Sequence, residues 1–259
     1  MQKINFYWRL FATAIAFSLF GFGGVIVPLL ATPVLYMLPG GVSERQTRSR
    51  KLVHWTFRVY IQIMRLLGIL TWKVDNLERL RQPGILVLAN HPTLLDVVFL
   101  VAFIPNANCI VKNRLMMNPA MRGFVALTGY IANDSAETLM NSAKETLQSG
   151  SALIIFPEGT RTIPGQKLSF QRGAANIIIR AGIVPTPVVI NCKPATLSKH
   201  HKWYHIPQAC KFHLSFKVLD DIKLDPFIVL RPSLGARHLN RYLENFFAEK
   251  LQTNEYEKT

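Results

Sequence analysis

From Leu10 to Leu38 the chain carries no charged residue, and nothing else in it limits folding as strongly, because so long an apolar stretch must be covered by protein or by lipid. A bilayer crossing needs about 20 apolar residues, so length alone permits one. The run is not uniform, however. Gly21, Gly23 and Gly24 cluster in its middle, and Pro28 and Pro33 interrupt its second half. Each half is then about 14 residues, too short for a hydrocarbon core of roughly 30 Å. A helical hairpin dipping into one leaflet competes with a single broken crossing. Both flanks are basic, with Lys3 and Arg9 before and Arg45, Arg48, Arg50, Lys51 and Arg58 after. The tendency of such flanks to stay cytoplasmic leans toward the hairpin. The run is too long for a cleaved signal peptide and lacks a small-x-small exit site, so it reads as a retained anchor.

Glu44 to Leu70 has a different pattern. Arg48, Lys51, His54 or Trp55, Arg58, Gln62 and Arg65 recur at steps of three and four, while Leu52, Val59, Ile63, Leu66, Leu67 and Leu70 fill neighbouring angles, as in a basic amphipathic helix. With Trp55 and Phe57 such a helix suits the headgroup region of a membrane. It equally suits docking on a folded domain with a solvated basic edge. Residues 1–70 are therefore read as an anchor plus amphipathic helix, and 71–259 as an α/β domain.

The charge balance, 30 Lys+Arg against 15 Asp+Glu for a formal +15, accompanies a chain that is 49% hydrophobic. A basic and apolar chain faces a polyanion, and apolarity favours an anionic membrane surface over nucleic acid. Aromatic residues sit in apolar runs instead of alternating with Lys or Arg, so no base-stacking surface is expected. Cys109, Cys192 and Cys210 are an odd set without CxxC spacing, which argues for reduced thiols and against a disulfide framework. No metal-ligand spacing occurs.

Beyond Trp72, short apolar runs alternate with longer amphipathic stretches. Strands are expected over 71–75, 85–89, 108–111, 152–156, 184–190 and 212–218, and helices over 94–103, 117–127, 135–149, 174–181 and 232–251. Asp134, Ser135 and Glu137 supply helix-start chemistry and Gly150 a helix stop. Strands separated by helices of this size imply a mixed, largely parallel sheet flanked by helices.

Two strings carry chemistry. NHPTLLD at 90–96 places His91 and Asp96 where an apolar strand runs into a turn and a helix. A carboxylate there can fix the tautomer of the imidazole and raise its basicity, as a general base facing an alcohol requires. The plain alternative is a helix cap. FPEGTR at 156–161 comes after a second apolar strand, at the strand end where open α/β sheets bind ligands. Arg161 offers a planar fork matching phosphate, Thr160 a hydroxyl and Gly159 close backbone approach.

Together, in this order, and with a middle block near 129–135 and an apolar proline-containing strand at 183–190, these strings resemble the glycerolipid acyltransferase family. The resemblance covers roughly 75–220. It implies a transfer of a fatty acyl group from acyl carrier protein or coenzyme A thioester to a lysophospholipid, most simply 1-acylglycerol 3-phosphate, with no other cofactor. His91 is implied as the base and Asp96 as its orienting partner, with Asn90, Lys112, Glu158, Gly159, Thr160 and Arg161 around the substrate. Glu158 is assigned to orienting Arg161 or bonding acceptor hydroxyls, with a structural salt bridge as its alternative. In the middle block Ser135 stands where the family pattern has arginine, which removes a phosphate contact and leaves open another hydroxylated lipid or specialised acyl chain as substrate. Lys167, Gln171 and Arg172 are candidates for compensating contacts, or a solvated loop. A noncatalytic lipid-binding adaptor is the reading of a different class, and a hydrolase is disfavoured because no Gly-x-Ser-x-Gly elbow occurs. The expected location is the inner membrane, with the domain on the cytoplasmic side.

Overall fold

The computed structural model describes residues 2–111, 117–132, 136–163, 165–208 and 210–256. Its first element, α1 (Gln2–Met37), is one uninterrupted helix with Pro28 and Pro33 inside it. The hairpin expectation is corrected here: the glycines and prolines do not fold the run back on itself. Proline removes a helical N–H and crowds the preceding turn, and α4 (Pro119–Thr128) packs at that place. A Cβ at Gly123 of α4 would lie 2.8 Å from Pro28 Cβ, so this approach requires glycine. The turn between α1 and α2 (Val42–Leu66) is closed by Glu44, whose carboxylate accepts the Gly41 N–H at 2.9 Å.

The amphipathic pattern of α2 is a docked face with a solvated edge. Val53, Phe57, Tyr60, Ile61 and Met64 are buried, whereas Lys51, Trp55, Arg58 and Arg65 are exposed. The face is fixed by the Tyr60 hydroxyl donating to the Ala16 carbonyl at 3.1 Å, and by His54 Nδ1 at 2.9 Å from the Val101 carbonyl.

Seven strands form one sheet in the order β1-β7-β6-β2-β5-β3-β4. They are β1 (Leu70–Asp75), β2 (Leu86–Ala89), β3 (Ala107–Val111), β4 (Ile131–Ala132), β5 (Ala152–Ile155), β6 (Pro185–Lys193) and β7 (Phe212–Val218). All neighbours run parallel except β6 and β7. The mixed, largely parallel sheet expected from the alternating pattern is therefore present. The two-residue β4 lacked a sequence signal, since so short a strand shows no period. A short 3₁₀ turn covers Leu77–Arg81.

Helices cover both faces. On one lie α1, α2, α4 and α3 (Asp96–Phe103), around Phe57, Phe99, Phe124 and Phe216. On the other lie α5 (Ala136–Gln148), α6 (Arg172–Ala181) and α8 (Pro232–Tyr256), around Leu139, Ile178, Leu243 and Phe247. A one-turn helix, α7 (Asp225–Ile228), precedes α8. The central strands β2 and β5 are hydrogen-bonded neighbours, yet β2 leads into α3 on one face and β5 toward α6 on the other. In open α/β sheets the carboxyl ends of strands whose connections leave to opposite sides are where ligands bind. His91 and Glu158 stand there.

Candidate active site

Asn90 directly follows β2 and is 1% exposed. Its Oδ1 accepts the Ile190 N–H at 2.7 Å and its Nδ2 donates to the Ile190 carbonyl at 2.8 Å. The amide thus replaces one rung of the β2–β6 ladder where the backbone of β2 turns away. Two buried bonds of about 1 kcal/mol each make Asn90 a bracket for the turn, and both ends of its amide are engaged away from any ligand.

His91 is held on every side. Its N–H donates to Glu158 Oε1 at 2.8 Å and its carbonyl accepts the Thr162 N–H at 2.7 Å. The ring stacks on Phe156 with centroids 4.3 Å apart, and Nδ1 lies 2.8 Å from Asp96 Oδ2. The side chain keeps 19% of its surface exposed, whereas that of Asp96 has none. Asp96 opens α3 and also accepts the Thr93 N–H at 2.7 Å on Oδ2 and the Thr93 hydroxyl at 2.6 Å on Oδ1. A carboxylate can only accept, so Nδ1 carries the proton of the His91–Asp96 bond and Nε2 is left with a lone pair.

Glu158 is 7% exposed. Besides the His91 N–H it accepts the Thr162 hydroxyl at 2.8 Å on Oε2. Both oxygens are therefore bound to the backbone and hydroxyl that pin His91, and not to Arg161. Burial pushes the Glu158 carboxyl above its ordinary value, and the bonds from His91 N–H and Thr162 pull it partly back. A carboxyl raised on folding contributes stability below its unfolded value, and that contribution is lost as pH rises through the folded value. Glu158→Gln keeps an acceptor for His91 but cannot ionise. Unfolding midpoints measured from about pH 4 to about pH 8 should therefore move in favour of the Gln variant as pH rises past the ordinary Glu range. Parallel curves would contradict this.

Gly159 (φ +65°) and Thr160 form an exposed turn. Arg161 is half-buried, and its Nη1 donates to the carbonyls of Leu197 at 2.8 Å and Ser198 at 2.9 Å. The Leu197 carbonyl also accepts the Leu94 N–H at 3.0 Å. The guanidinium thus ties the turn after β5 to the β6–β7 loop, with part of its fork already used. Gln171 N–H donates to the Pro157 carbonyl at 2.7 Å, which seats the start of α6 beside the same turn. Lys167, Gln171 and Arg172 are exposed. Lys112, Asp134 and Ser135 lie outside the described residues.

Thr93, Phe156 and Thr162 complete the constellation without having been singled out in the sequence. Thr93 had a readable signal, because Thr93-x-x-Asp96 has the spacing of a capping box. Thr162 had none, since its partner Glu158 acts together with His91 from 67 positions away.

Among the described residues no three His, Cys, Asp or Glu side chains are grouped to hold a metal ion. Cys109 and Cys192 are buried and Cys210 is exposed. Burial pushes the first two thiols up to about 12, so they are inert hydrophobes.

This geometry coincides with relationships to known proteins. The family model described as Acyltransferase matches residues 71–191. The 1-acyl-sn-glycerol-3-phosphate acyltransferase of Pseudomonas aeruginosa is 28% identical over 152 residues, which is 56% of this chain and 59% of that protein. The protein of the same name from Saccharomyces cerevisiae is 28% identical over 199 residues, 73% of this chain and 61% of that one. The chain thus spans less than two thirds of the length of either relative. The crystal structure of the 1-acyl-sn-glycerophosphate acyltransferase of Thermotoga maritima shares the fold, with a TM-score of 0.68 over 96% of this chain and 97% of that one, at 18% identity. The matched segment, a little under half of the chain, contains the strands and turns that carry His91, Asp96 and Glu158, and across residues 71–191 this chain is similar to the acyltransferase family.

Proposed function

We propose that the protein is a membrane-attached O-acyltransferase that moves a fatty acyl group from an acyl thioester, of acyl carrier protein or coenzyme A, to the free hydroxyl of 1-acylglycerol 3-phosphate. The observation that carries this reading is the partly exposed His91 ring, bonded through Nδ1 to a fully buried Asp96 that three hydrogen bonds hold in place. Nε2 takes the acceptor proton as the hydroxyl oxygen attacks the thioester carbonyl. The C–O bond forms, the C–S bond breaks, and the thiolate leaves with the proton returned from the imidazolium. Asp96 stabilises that transient charge and keeps the ring aligned. Glu158, Asn90 and Arg161 position the turns through backbone contacts, while the exposed Gly159–Thr160 turn and the outer side of Arg161 border the acceptor phosphate.

The attachment is in the membrane plane. On α1, Arg9 meets the β6–β7 loop, Ala16 meets α2 and Pro28 meets α4. Protein thus accompanies α1 from residue 9 to 28, a rise of about 28 Å, close to the roughly 30 Å of a hydrocarbon core. A crossing would draw the exposed Arg122 of α4 into lipid. The helix has the length and a mean hydropathy of 2.2 to enter a membrane, and it lies flat with Ile4, Phe11, Phe22 and Leu29 facing outward. The basic exposed edge of α2 suits anionic headgroups.

Ser135 at the family arginine position and the engaged Nη1 of Arg161 favour a second reading, the same chemistry on a differently substituted lipid alcohol. A radiolabelled transfer panel crossing both donors with several acceptors separates the two. Turnover with 1-acylglycerol 3-phosphate is expected to exceed that with its dephosphorylated counterpart by at least about 10-fold, the worth of one charge-assisted contact. Equal turnover, or turnover of another alcohol alone, replaces the first reading with the second.

A further inference from the structure

We infer that the tip of the β6–β7 loop, residues 199–205, is a second membrane contact that binds anionic lipid headgroups beside α1. This rests on the in-plane attachment proposed above. The base of the loop is pinned: Leu197 and Ser198 accept from Arg161, and Pro207 and Gln208 accept from Arg9 at 2.9 and 2.7 Å, with a further bond from Arg9 to the Cys210 carbonyl. Arg9 is 4% exposed, so this clamp between anchor helix and loop is buried. Between the two pinned ends the chain reads KHHKWYH, and no Asp or Glu occurs from Lys193 to Leu219. Lys199, His200, Lys202 and His205 are exposed.

Trp203 and Tyr204 are each 42% exposed. Trp203 packs on Phe17 of α1 with ring centroids 6.1 Å apart, and Tyr204 stands edge-on against Trp203 at 5.5 Å. The amphipathic rings therefore flank the helix whose outward face is bare Phe11, Leu19 and Phe22. Aromatic rings prefer the headgroup level and lysines the anionic surface just above it. An anionic bilayer is the occupant that matches the positive charge, the rings and the apolar neighbour together.

Partitioning of the full chain into neutral phosphatidylcholine vesicles, and into vesicles containing phosphatidylglycerol, tests this. The double variant Lys199→Gln/Lys202→Gln is expected to partition about 30-fold less into the anionic vesicles, at roughly tenfold or less per lysine, with neutral vesicles unaffected. Trp203→Ala should reduce partitioning into both. Wild-type partitioning into anionic vesicles by the double variant overturns the inference. That outcome leaves the in-plane attachment standing, which is tested separately by Phe22→Asp/Leu29→Asp on α1: this variant must weaken binding to neutral vesicles, and if it does not, the attachment fails and the loop contact with it. Wild-type protein that binds neither vesicle overturns both.

Discussion

Replacing His91 with Ala lowers the acyl-transfer rate by about 10³-fold and leaves the fold in place. General base catalysis contributes about 10² to 10⁴, and among the described residues the site offers no second base at the ring position: Glu158 spends both oxygens on His91 N–H, Thr162 and the turn between them. The fold survives because the contacts that lock this position are made by its backbone, the N–H to Glu158 and the carbonyl from Thr162, and alanine keeps both. Asp96 keeps its two bonds from Thr93. Loss of the ring from its stack on Phe156 costs about 1 kcal/mol at a partly exposed position. Initial rates, thermal midpoint and vesicle partitioning of one preparation decide the matter. Retained turnover removes His91 from the mechanism, whereas a collapsed midpoint would show that the ring is structural.

Asp96→Asn is the second large effect, about 10²- to 10³-fold in kcat. The direction is set by which atoms face the side chain. Thr93 N–H can only donate, so the amide oxygen must take the Oδ2 position, where it still accepts from Thr93 and from His91 Nδ1. The amide NH₂ then meets the Thr93 hydroxyl, which can accept. Geometry is kept and the negative charge is lost, so the variant measures the electrostatic share of catalysis. Asp96→Ala would instead strand the Thr93 donors in a buried site at about 1–3 kcal/mol each and confuse the two effects. Because base and carboxylate act as one unit, the double variant His91→Ala/Asp96→Asn should be no slower than His91→Ala. A further 10²-fold drop would mean that Asp96 serves transfer independently of the imidazole.

The fold class was legible because period and punctuation are local. The apolar runs 85–89 and 152–156 became β2 and β5 within a residue at each end, since strands buried on both faces are continuously apolar, and the alternating run 212–218 became β7, buried at every second residue. The contact between His91 and Asp96 was legible too, because the two residues of NHPTLLD meet within one turn. Much of the second motif was not. Glu158 has the residue type of a ligand-binding acid, and only the approach of Thr162 and His91 shows that its oxygens hold backbone and hydroxyl. Arg161 has the residue type of a phosphate fork, and only the β6–β7 loop shows that its Nη1 holds the carbonyls of Leu197 and Ser198. Glycines and prolines at 21–33 signal a break when read alone, yet α1 is continuous, and α4 packs so close to Pro28 that residue 123 has no room for a Cβ.

By itself the sequence determined the alternation of strands and helices, the imidazole–carboxylate pair and the charge-free apolar run, each written within a few neighbouring residues. The tertiary structure alone decided that β2 and β5 are neighbours, that Asn90 bonds Ile190 across 100 positions, and that α1 packs along the α/β domain. The reason is physical: hydrophobic period and local hydrogen bonding act over one or two turns of chain, whereas strand order and motif-to-motif contact are set by which distant surfaces bury each other.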